Sequence, residues 1–113
     1  LIYAEAVNEL NAGPDAEAYR QINRIRTRAN ATPFSGMNQD EFRSAVLEER
    51  ARELAYEADR RYDLFRWGVY LDVMNDMDEH NVTKRRLERN LLYPIPTSEV
   101  NSNDKIDVNN PGW

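Results

Sequence analysis

The sequence predicts an all-α fold: helical hairpins of roughly tetratricopeptide size followed by an irregular, proline-rich C-terminal tail. Three observations predict it. Apolar residues recur at helical spacing through most of the first 79 positions. Helix-start and helix-stop residues punctuate those runs. No stretch alternates apolar and polar residues as a half-buried strand would.

The first helix covers residues 1–12. Tyr3, Ala6, Val7 and Leu10 share one face, and Leu1, Ile2 and Ala4 lie elsewhere on the surface. Gly13 supplies a stop, and Pro14 cannot continue the helix. Pro14-Asp15 opens a second helix over about 15–29, with Ala18, Ile22, Ile25 and Ala29 as a narrow stripe. So short a connection makes the pair an antiparallel hairpin. Residues 30–37 form a loop broken by Pro33 and Gly36. Asn38 and Glu41 have the spacing of a capping box at the start of the third helix.

That helix is expected to run to about residue 60. Projected at ~100° per residue, Leu47, Ala51, Leu54 and Ala58 fall on one side. Phe42, Ala45, Val46 and Tyr56 fall on another, with Glu49, Glu53 and Arg60 among them and Arg50 and Glu57 close by. Charges directed at a neighbour need partners, because an unpaired buried ion is strongly destabilising. Glu57 reaches Arg60 or Arg61 along the helix; Glu49 and Glu53 require cationic or backbone N–H partners from elsewhere, either Arg24, Arg26 and Arg28 or protein outside this chain. On this reading Glu53→Ala destabilises by several kcal/mol.

Residues 61–79 continue helically, with Leu64, Trp67, Leu71 and Met74 on one face. Gly68 favours two short helices there. Residues 80–90 are polar. Pro94 and Pro96 make LLYPIP extended, and Ser98-Glu99 suits one helical turn. The polar tail ends in Asn110-Pro111-Gly112-Trp113, a turn that would pin the terminal tryptophan onto the body.

Bulk properties exclude several function classes. A net charge of −5 argues against general nucleic-acid binding. The chain has no cysteine, which leaves thiol chemistry without residues, and a single histidine, which gives multi-histidine metal sites and Ser-His-Asp catalysis poor support. No apolar run approaches the ~18 residues of a membrane span. No cofactor is expected. The chain opens at Leu1 within a helical pattern, so further protein is expected upstream.

Candidate sites each have a bland alternative. Glu49, Glu53 and Glu57 project from one side of a helix and cannot readily straddle a glycosidic bond, so a structural ion-pair ladder with Arg50, Arg60 and Arg66 is expected. Trp67 suits core packing better than sugar stacking. Tyr70 and Tyr93 are further aromatic candidates, each better suited to packing or partner contact. Asp76, Asp78, Glu79 and His80 fail as a calcium loop, since Asn81 stands where the turn glycine belongs and Leu87 where the closing glutamate belongs. Lys84, Arg85, Arg86 and Arg89 read as a solvated face.

Four stretches carry a family resemblance, in order: LIYAEAVNELNAG with AYRQINRIRTRAN, LEERARELAYEADRRYDLFRWG, LLYPIPTSEV, and NNPGW. Together they resemble the C-terminal region of the SusD/RagB family of outer-membrane nutrient-binding lipoproteins of Bacteroidetes, over nearly all of residues 1–113. The signature residues are Glu49, Arg50, Glu53, Glu57, Arg60, Asp63, Arg66, Trp67, Pro94, Pro96 and Pro111. The family usually has glycine where Ala58 stands, and alanine there suits a more continuous helix. Its closing motif more often has glutamine where Asn109 stands.

The resemblance implies a non-enzymatic component that captures glycans or other nutrients on the outer face of the outer membrane. It would cap a SusC-like, TonB-dependent transporter, and a lipid anchor would lie outside this chain. The N-terminal part of the domain would be absent from this chain, whose own share is mainly scaffold. The alternatives are a generic helical-repeat module for protein–protein interaction and a helical glycoside hydrolase. The latter needs two facing carboxylates about 5–9.5 Å apart.

Overall fold

The computed structural model describes residues 1–77 and 85–113. Among them the regular elements are all helical: α1 (Ile2–Leu10), α2 (Ala16–Arg28), α3 (Gln39–Glu53), α4 (Arg60–Arg66), α5 (Tyr70–Asp76), a 3-10 turn (Glu88–Leu91) and α6 (Thr97–Ser102). The chain divides into two compact units, Leu1–Arg60 and Arg61–Trp113.

In the first unit, α2 starts where Asp15 accepts a hydrogen bond from the Ala18 N–H (2.7 Å). The start of α1 lies beside the end of α2, since Leu1 shares a groove with Ile25 and Arg28; the two helices are antiparallel. α3 begins with the expected capping box. The Asn38 side chain accepts from Glu41 N–H, and Glu41 accepts from Asn38 N–H. Tyr19 meets Phe42 edge-on at 5.1 Å, and Arg26 meets Glu49, so α2 and α3 run in the same direction.

The loop between them makes this possible by running back along α2. Arg26 donates to the Thr32 carbonyl, Asn23 pairs with both Phe34 N–H and C=O, and the Tyr19 hydroxyl engages both backbone groups of Met37. Residues 19, 23 and 26 lie on one helical face, so a single stripe of α2 holds the whole loop. The core of this unit is Ala4, Ala18, Ile22, Phe42 and Val46, with Leu1, Val7, Tyr19, Phe34 and Met37 packed against it.

Two local expectations change. The face that α1 buries carries Ala4 and Asn8, whereas Tyr3, Ala6 and Leu10 are exposed. Small Ala4 lets the helices approach. Asn8 is accommodated because it donates to the Gln39 carbonyl while Gln39 donates back to the Asn8 carbonyl.

The second change concerns α3, which ends at Glu53 instead of continuing to residue 60. Residues 54–59 form a turn in which Tyr56 (φ 69°) and Ala58 (φ 65°) are left-handed. Ala58 therefore does not make the helix continuous; the chain turns there with alanine in a conformation that favours glycine. Tyr56, expected on an inner face, is fully exposed as a result.

In the second unit, α4 and α5 are the two short helices expected around Gly68. Gly68 takes φ 70° and closes α4 with bonds from Gly68 N–H to Phe65 and Val69 N–H to Leu64. Asp63, Leu64 and Tyr70 are its buried residues among those described. Pro94 and Pro96 stand in the expected extended run, and one short helix follows it.

Candidate functional site

The signature stretch 47–68 is divided by the turn at 54–59. In the first unit its carboxylates meet arginines of α2. Arg26 Nη1 lies 2.6 Å from Glu49 Oε2, with the two side chains only 13% and 6% exposed. Arg26 also lies over the Phe34 ring at 3.8 Å, so one guanidinium joins loop, helix and carboxylate. Arg52 approaches Glu49 at 3.5 Å. Arg28 Nη2 contacts both oxygens of Glu53, at 2.5 and 2.6 Å, but Arg28 is 67% exposed.

The ladder uses Arg26, Arg28 and Arg52, and two of its expected cations, Arg60 and Arg66, have partners elsewhere. Arg60 donates to the Leu47 carbonyl at 3.2 Å. Arg66 pairs with the buried Asp63 at 3.1 Å and lies 4.8 Å from the Trp67 ring. Arg50 lines a groove of ≈ 500 Å³ with Ile25, Glu53, Leu54 and Asp59. Glu57 stands exposed in the turn. With α3 ended at Glu53, no helical turn joins Glu57 to Arg60 or Arg61. Glu49 and Glu53 are thus both engaged by guanidinium groups.

At the end of α1 a further network holds α1 to α3. Arg43 contacts both Glu9 and Asp40, and it holds the Glu9 carboxyl below the usual carboxylate range by hydrogen bonding.

The second unit collects aromatic side chains around Arg61. Its guanidinium carbon lies 4.6 Å from the Tyr93 ring centroid, 5.1 Å from Phe65 and 5.8 Å from Tyr70. Phe65 and Tyr70 are themselves in contact at 4.3 Å. The sequence reading paired Arg61 with Glu57 and missed this cluster. The available signal was the i, i+4 spacing of Arg61 and Phe65 within one helix. Tyr70 is 6% exposed and packs; Tyr93 is 57% exposed.

The tail is fastened to the same segment. Asn109 pairs with both backbone groups of Ile95, and Asn110 donates to the Tyr93 carbonyl at 2.6 Å. Pro111 leads into Gly112 (φ 85°), where an added Cβ would lie 2.8 Å from Arg89 Cβ. Trp113 Nε1 then donates to the carbonyls of Arg89 and Leu92, and Arg89 stacks on its ring at 5.4 Å. The closing motif thus clasps residues 89–95.

Asp78, Glu79, His80 and Lys84, which complete the acidic and basic clusters noted in the sequence, lie outside the described residues. Among the described residues no three His, Cys, Asp or Glu side chains gather as a metal site. No described helix is long and apolar enough to cross a membrane.

Comparison with known proteins gives a consistent result. The model of the SusD family matches residues 1–113. The chain is 42% identical over 122 residues to SusD-like protein P25 of Formosa agariphila, covering 100% of this chain and 23% of that protein. It is 36% identical over 121 residues to SusD-like protein P2 of the same organism, covering 24% of it. The crystal structure of a SusD homolog from Bacteroides thetaiotaomicron superposes with a TM-score of 0.85 at 34% identity, over 98% of this chain and 25% of that one. The chain thus spans about a quarter of the length of these relatives.

Proposed function

The chain belongs to the SusD family, and from that premise we propose that it is the C-terminal part of a glycan- or nutrient-binding protein of the outer membrane. The observation that carries this reading is the family match across all 113 residues. On this reading the complete protein sits on the outer face of the membrane through a lipid anchor outside this chain. It captures saccharide and passes it to a SusC-like, TonB-dependent transporter.

This part contributes scaffold without catalysis. Support comes from the engagement of Glu49 and Glu53 by arginines, which removes the carboxylates best placed to resemble an acid–base pair. The same engagement ties α3 to α2, as a scaffold requires.

The test is calorimetric titration of the full-length protein with a panel of oligosaccharides, followed by chromatography of the recovered sugars. Saturable binding with every oligosaccharide recovered intact is the expected result. Shortened products, or failure of every glycan to bind, would overturn the reading.

A further inference from the structure

We propose that Arg61, mounted on Phe65, Tyr70 and Tyr93, is a subsite for the ionised carboxylate or sulfate group of an acidic saccharide. The inference rests on the glycan-binding reading above and adds to it a ligand class and a location.

The first observation is the state of the guanidinium. Arg20, Arg26, Arg28, Arg43, Arg52 and Arg66 each pair with a carboxylate. Arg61 is exposed, and among the described residues its contacts are three aromatic rings. Ring faces attract a guanidinium but are at most weak acceptors of its N–H groups. No oxygen among the described residues pairs with the Arg61 donors.

The second observation is that the mount is built. Phe65 comes from α4, Tyr70 from α5 and Tyr93 from the extended run, so three elements converge on one cation. Tyr70 is buried, and the Asn110 side chain grips the Tyr93 carbonyl. A long side chain ordinarily loses rotamer freedom when it captures a ligand; here the rings restrict it beforehand.

The chemistry of this arrangement selects a charged oxygen pair. A planar fork of N–H donors gains most from two coplanar anionic oxygens, as a uronate carboxylate or a sulfate ester presents. A neutral saccharide offers hydroxyls that any donor would satisfy equally. Tyr93, 57% exposed, adds an aromatic surface and a phenol beside the cation.

The test uses the full-length protein and paired probes: oligogalacturonate against its methyl ester, and chondroitin sulfate oligosaccharides against their desulfated parents. Affinities are measured for wild type, Arg61→Gln, Arg61→Lys and Tyr93→Ala. Thermal melts identify any variant that fails to fold, and Arg61→Lys, which keeps the charge, carries the comparison if Arg61→Gln unfolds.

Wild type is expected to prefer at least one acidic probe to its neutralised partner. Arg61→Gln should lose about tenfold for that probe, the scale of one charge-assisted contact. Arg61→Lys should lose less, and the neutralised partner should not distinguish the variants. The uronate and sulfate pairs separate the two kinds of anion. Equal binding of acidic and neutral probes, or acidic binding indifferent to Arg61→Gln, would overturn the subsite and leave glycan capture standing. Failure of every probe, neutral ones included, would also overturn the subsite; glycan capture itself falls only if the wider oligosaccharide panel above fails as well.

Discussion

Asparagine does at residue scale what a neighbouring strand does elsewhere. Asn23, Asn75 and Asn109 each use the side-chain amide to bind both the N–H and the C=O of one distant residue: Phe34, Arg86 and Ile95. Each clamp makes two hydrogen bonds, worth about 0.5–1.5 kcal/mol apiece. Glu49 belongs to the same scale but a different energy class. Because Arg26 is almost buried, Glu49→Ala strands a guanidinium and should cost about 3–5 kcal/mol. Glu53→Ala releases an arginine that water already reaches, and should cost under about 1 kcal/mol. Denaturant unfolding of the full-length protein with each substitution checks the order. Equal losses would contradict it. The sequence offered α2 arginines among the candidate partners of both glutamates, but spacing could not rank them, since burial is a property of the packed helices.

At the scale of elements, starts were more legible than ends. The Asn38–Glu41 capping box is a local code and stands where it was read. The end of α3 is different: nothing between Leu54 and Asp59 is a strong breaker, and alanine at 58 argued for continuation. Yet Tyr56 and Ala58 take left-handed φ values of 69° and 65°. Alanine there carries a penalty of about 1–2 kcal/mol that glycine avoids. Ala58→Gly should therefore stabilise the full-length protein, by up to about 1 kcal/mol after glycine's extra unfolded-state entropy is subtracted. A rise in denaturant midpoint at unchanged slope is the expected signature; destabilisation would mean that residue 58 is helical. The same missed turn explains the misassigned partners of Glu57, Arg60 and Arg61, whose helical spacing presumed an unbroken helix.

For the molecule as a whole, fold class was legible because it depends on periodicity, which survives in sequence. The buried face of α1 was not, because Ala4 and Asn8 were selected by what packs on them. Arg61 escaped for a related reason: Tyr93 lies 32 positions away, and nothing local announces their meeting. The described residues leave Ile2, Leu10, Tyr56, Met77 and Val108 more than 70% exposed, around a small set of buried side chains. A polypeptide of residues 1–113 expressed alone should therefore bind a hydrophobic dye and self-associate, whereas the full-length protein should do neither. A dye-silent monomer in ultracentrifugation would contradict this.

The clasp on residues 89–95 also bears on aggregation. An extended run normally offers a ladder of donors and acceptors to any passing strand. Here Pro94 and Pro96 have no N–H to offer, and Asn109 occupies both the N–H and the C=O of Ile95. Asn110 occupies the Tyr93 carbonyl. With no N–H free from residue 94 to 96, the segment is extended in shape but lacks the donors of a ladder, which disfavours strand addition by a second copy or a foreign peptide while the tail is in place.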